Sequence, residues 1–126
     1  MKIKIALLQL FPGDTLQEQL QIGTSACRKA KDMGADIALF PEMWSDGYKI
    51  PQNETDLHAL AISADSDFIQ AFRGLAARLQ MAVGITFLEK HRPKPLNSMI
   101  LFDRNGEQRL HYSKVHTCDF DQEQML

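Results

Sequence analysis

Cysteine is scarce in this sequence: two in 126 residues, Cys27 and Cys118, far apart and without CxxC spacing. That count excludes the disulfide scaffold by which small secreted domains make up for a thin core, and it favours a reduced, cytoplasmic setting. Long hydrophobic runs are missing as well. The apolar stretch from Ile5 to Phe11 is broken by Gln9 and followed by Pro12-Gly13 rather than a small-residue cleavage site. No signal peptide is expected, and nothing approaches the roughly 20 residues of a membrane span. Charge of one sign is also lacking: 14 Lys and Arg stand against 16 Asp and Glu, a net charge of −2. That balance gives no pull toward nucleic acid or an anionic membrane. His58, His91, His111 and His116 show no ligand spacing with acids or cysteines, so no metal site is expected. No Gly-rich loop follows a strand, so no nucleotide or other cofactor is expected either.

What is present is ordinary for a soluble globular protein, with 44% apolar and 24% charged residues. The length suits one domain, without linker or internal repeat. Residues 2–10 alternate Lys2, Ile3, Lys4, Ile5 and then turn apolar, as a strand buried on both faces would. Asp14 or Thr15 can cap a helix from Leu16 to Met33, whose small and apolar residues recur at three and four; Gly23 within it reads as a close-packing site and Gly34 as the stop. Residues 35–40 form a second strand ended by Pro41, which completes a βαβ unit with parallel strands. Turn residues from 41 to 55 read as a long functional loop, followed by a short helix over 54–62. Ser66 caps a second long helix carrying Phe68, Ile69, Phe72, Leu75, Ala76 and Leu79. Strands follow at 81–88, 97–102 and 107–113, the last two joined by an Asn105-Gly106 hairpin turn. Residues 115–126 show no clear pattern.

Glu42 sits in Phe40-Pro41-Glu42-Met43-Trp44, where a buried strand meets the loop. In open α/β sheets, ligands bind beyond the carboxyl ends of the strands. A carboxylate among apolar groups there is a usable general base near neutral pH, although a solvated loop glutamate is the plainer reading of the residue alone. Lys114, in Tyr112-Ser113-Lys114-Val115-His116, also ends a strand, and a lysine held over a reacting carbonyl can stabilise an oxyanion. Most lysines, however, are surface groups. Trp44, Tyr48 and His116 are candidates to line a small pocket. Cys27 lies on the apolar stripe of its helix, where cysteines are usually inert.

Taken in order, these segments resemble the nitrilase superfamily of carbon–nitrogen hydrolases. The resemblance rests on the KIALLQL strand, the helix ending in Gly34-Ala35-Asp36, LFPE followed by Gly47-Tyr48, and the VGI strand. The Asn97-Ser98 strand opening, the Asn-Gly hairpin and Tyr-Ser-Lys-Val-His complete it. It implies an α/β fold, the N-terminal half of an α-β-β-α sandwich. It further implies hydrolysis of a small amide, carbamoyl compound or nitrile through a Glu-Lys-Cys triad. Glu42 matches the general base and Lys114 the oxyanion-stabilising lysine. The family's nucleophilic cysteine belongs at the end of a later strand, some tens of residues past the lysine motif, whereas Leu126 lies twelve residues after Lys114. Cys118, four residues past Lys114, reads as a loop cysteine bordering the site.

The expectation is therefore a partial hydrolase domain over residues 1–126, inactive alone. The alternative is a non-catalytic, self-associating scaffold module or a truncated gene product. In either case the sheet exposes apolar surface on one side, so a homo-oligomer is expected.

Overall fold

A computed structural model describes residues 1–117 and 125–126. Thr15 begins the first helix, α1 (Leu16–Asp32), by accepting a hydrogen bond from the Glu18 amide at 3.1 Å, and Gly34 follows its end at a φ of +85°. Strands β1 (Ile5–Leu7) and β2 (Ile37–Leu39) flank α1 and pair in parallel, as the βαβ pattern requires. A single 3₁₀ turn at Trp44–Asp46 and helix α2 (Glu54–Leu60) occupy the long loop after β2. Helix α3 (Asp67–Leu79) then leads to β3 (Ala82–Glu89), parallel to β2. Strands β4 (Leu96–Phe102) and β5 (Gln108–Ser113) add antiparallel, joined by a hairpin with Gly106 at a φ of +79°. The sheet is mixed, in the order β1-β2-β3-β4-β5.

Helices α1 and α3 cover one face. Beneath them Ala38, Phe40, Val83, Ile85, Phe87, Ile100 and Phe102 meet Phe72, Ile69 and Leu75 in the main core. Gly23 is where α1 comes closest: a Cβ there would lie 2.8 Å from the Phe40 ring and 2.9 Å from that of Phe72. Cys27 is fully buried on the same stripe. Burial removes solvation from its thiolate and pushes its pKa up to about 12, so it is a packing residue.

The other face is open, as expected of a sheet with helices on one side, and the first strand, which reads as buried on both faces, has one of them in solvent. The pairing register sets Leu7, Leu39, Gly84, Leu101 and Leu110 in one row across all five strands, turned away from the helices. Leu7 is 72% exposed, and Ile5, Leu110 and Tyr112 on the same face are exposed too. Alternation places every second side chain of a strand on this side, and no element among the described residues covers it. The apolar run forms sheet, and one of its faces is open.

Candidate active site

The C-terminal end of β2, the N-terminal end of β4 and the C-terminal end of β5 all lie at the same end of the sheet's strands, because β4 runs against its neighbours. This places Glu42, Asn97 and Lys114 together although 55 and 72 residues of chain separate Glu42 from the other two. Lys114 Nζ lies 2.9 Å from Glu42 Oε1, and Asn97 Nδ2 donates to the same oxygen at 2.6 Å. The Lys114 amide donates to the Asn97 carbonyl at 2.8 Å, which ties the end of β5 to the start of β4.

Glu42 is not enclosed among apolar groups, as its aromatic neighbours in the sequence suggested. Its side chain is 45% exposed and that of Lys114 27% exposed, so the pair faces solvent beyond the strand ends and is held by polar contacts. An ion pair this open contributes about 0–1 kcal/mol to folding. Stability alone gives little reason to converge three polar side chains here.

The backbone beyond Glu42 is shaped to present it. Met43 is fully buried and takes a left-handed conformation, φ 51° and ψ 49°, which a methionine adopts only when its surroundings impose it. The reversal sends Trp44 back into the core, where its ring meets Phe40 at a centroid distance of 5.7 Å. Thr86 on β3 secures the turn: its hydroxyl accepts from the Trp44 amide at 3.0 Å and donates to the Pro41 carbonyl. Ser45 Oγ accepts from the Leu88 amide at 3.0 Å. From the other side, Gln19 on α1 donates to the Trp44 carbonyl at 2.6 Å, and Trp44 Nε1 donates to the Gln19 carbonyl at 3.0 Å.

Of the sequence-derived pocket residues, Trp44 and Tyr48 line a cavity of about 130 Å³ beside Glu42, together with Leu10, Pro12, Pro41 and Gly47. Trp44 contributes as a core residue, only 2% exposed. His116 is exposed and is not among the residues lining that cavity. Cys118 lies outside the described residues. Among the described residues no group of histidines, cysteines and acids is arranged to hold a metal ion. Asn97, Thr86, Gln19 and Ser45 were not singled out in the sequence. Only Asn97 left a trace there, as the first residue of the Asn-Ser strand opening, and its partner across the sheet is a matter of register.

A family model described as carbon-nitrogen hydrolase matches residues 4–125. The chain belongs to that family. Within it, the chain is 29% identical over 118 residues to a citrullinase of Francisella tularensis, a match covering 93% of this chain and 41% of that protein. The fold superposes on an amidase from Nesterenkonia sp. with a TM-score of 0.78 at 24% identity, over 98% of this chain and 46% of that one. A carbon-nitrogen hydrolase from Helicobacter pylori gives a TM-score of 0.82 at 18% identity, over 98% and 43% of the two chains. One structure of a variant of the Nesterenkonia amidase carries acrylamide, joined by Michael addition to its active-site cysteine. The chain spans less than half the length of these carbon-nitrogen hydrolases and corresponds to their N-terminal part.

Proposed function

We propose that this chain supplies the glutamate and lysine of a carbon–nitrogen hydrolase that acts on a small amide, carbamoyl compound or nitrile, with a cysteine from outside the described residues as nucleophile. The observation that carries the reading is the 2.9 Å approach of Lys114 Nζ to Glu42 Oε1 at the strand ends, beside a small cavity. Glu42 takes the thiol proton, and the thiolate attacks the amide carbon. The oxyanion that forms is stabilised by Lys114, and ammonia or an amine leaves with a proton returned by Glu42. Glu42 then deprotonates a water that cleaves the thioester, releasing the acid and the thiol. A lysine already set beside the base needs no rearrangement to meet the new charge.

The test is hydrolysis of a panel of small amides, carbamoyl compounds and nitriles by the form of the protein that carries the nucleophile. Glu42→Gln and Lys114→Met are each expected to lower kcat/KM at least about a thousandfold. Activity unaffected by either substitution defeats the reading.

A second reading, a self-associating scaffold without catalysis, is favoured by the open apolar face of the sheet. The two readings make different demands. Association through that face leaves the convergence of Glu42, Asn97 and Lys114 without a purpose, which is why catalysis is preferred.

A further inference from the structure

Two donors converge on one oxygen of Glu42. The Asn97 amide and the Lys114 ammonium both reach Oε1, and no hydrogen bond from the described residues reaches Oε2. We infer that Asn97 is a positioning residue that fixes the Glu42 carboxylate so that Oε1 is anchored and Oε2 is the oxygen that exchanges protons. The inference rests on the proposed hydrolase reading, which makes Glu42 the base.

Asn97 is well placed for this. It is the second residue of β4, opposite Leu88 of β3, and only 7% exposed, so its backbone is fixed by the sheet and its side chain by burial. Its orientation follows from chemistry: the carboxamide turns its NH₂ toward the carboxylate, since the flipped amide would set oxygen against oxygen. Its main-chain carbonyl meanwhile holds the Lys114 amide. One residue thus sets the direction of the base through its side chain and the origin of the lysine through its backbone. Glu42 needs such a restraint because it stands on a loop and is nearly half exposed, and an unrestrained carboxylate at such a site would sample several rotamers. A backbone link between β4 and β5 alone would require no amide at position 97.

The side-chain contact is tested first on the chain itself. In an ¹⁵N-labelled sample the Asn97 amide is expected to exchange with water about tenfold faster in Glu42→Ala than in wild type, the loss of a charge-assisted hydrogen bond. Lys114→Met should leave that exchange unchanged. An Asn97 amide insensitive to Glu42→Ala overturns the inference, whether or not the protein hydrolyses anything. The consequence is tested in the nucleophile-bearing form: Asn97→Ala should lower kcat about ten- to a hundredfold while KM stays within about twofold. Asn97→Asp, which keeps the shape but opposes oxygen to oxygen, should lower kcat at least as far, and it decides the matter if Asn97→Ala folds poorly. Wild-type kcat in Asn97→Asp contradicts the inference. A wild-type protein with no hydrolase activity contradicts the function instead, and the exchange measurement still decides the role of Asn97.

Discussion

Both carboxyl oxygens of Asp46 are buried, and neither reaches a hydrogen-bond partner among the described residues. Burial pushes its pKa up from the usual 3.8 to about 7, while the nearby amides of Asp46 and Tyr48 and the Lys49 ammonium pull more weakly the other way. The folded state holds this proton more tightly than the unfolded chain, so stability falls as pH rises from about 4 to about 7 and then levels. Asp46→Asn is therefore expected to raise the melting temperature at pH 8 and to change it little at pH 4. A stabilisation equal at both pH values would show that the carboxyl is not the cause. Residues of this kind are hard to read from sequence. Asp46-Gly47 spells a turn, and turns are usually solvated; only the packing of α1 against the Trp44 turn encloses the carboxyl.

At the scale of elements, the turn after β2 is tied to β3 through Thr86 and Leu88 and to α1 through Gln19. Thr86 is central, joining the Trp44 amide and the Pro41 carbonyl to β3. Thr86→Val keeps the shape and β-branching but strands both backbone groups, a cost of about 1–3 kcal/mol. Trp44 is the sole tryptophan and is buried, so its fluorescence reports on the turn. The expected result is a red-shifted emission and a lower melting temperature in Thr86→Val; emission and stability both unchanged would remove Thr86 from the account. Much at this scale was legible in the sequence. The α1 and α3 patterns, the Thr15 cap and the Asn105-Gly106 turn fix local structure through short-range chemistry, whereas Ser66 stands at the start of α3 without making the side-chain capping bond expected of it; the observed bounds differ from the reading by one or two residues. The first strand differs more, spanning Ile5–Leu7 rather than residues 2–10, because its neighbour among the described residues, β2, is itself three residues long. Glu42 and Lys114 stood out through the family-like motifs around them, whereas Asn97 did not. Its contact with Glu42 depends on how β2, β3 and β4 pair, which no periodicity in the sequence records.

For the molecule as a whole, the open row Leu7, Leu39, Gly84, Leu101 and Leu110 is the dominant feature outside the site. In the two-sheet sandwich implied by the family resemblance, a second sheet seats on such a face, and the relatives carry more than twice this length. We propose that, alone in solution, the 126-residue chain buries the face against copies of itself. Light scattering at micromolar concentration should give a mass above 14.3 kDa. Leu7→Lys combined with Leu110→Lys, both at exposed positions, should shift it toward the monomer. A stable monomer that binds no dye for exposed apolar surface would contradict the proposal.

As two members of a three-residue catalytic set, the proposed Glu42 and Lys114 need a cysteine from elsewhere for turnover. Ammonia release from small primary amides is measured for the 126-residue chain alone, with Cys118→Ser and Cys27→Ser in parallel, and for the chain supplied with the C-terminal half of the Nesterenkonia amidase. Loss of a nucleophile from a catalytic triad costs on the order of a millionfold in rate. No release is expected from the chain or from either cysteine variant, whereas the combined sample is expected to show release that Glu42→Gln abolishes. Turnover by the chain alone that survives both cysteine substitutions would contradict it.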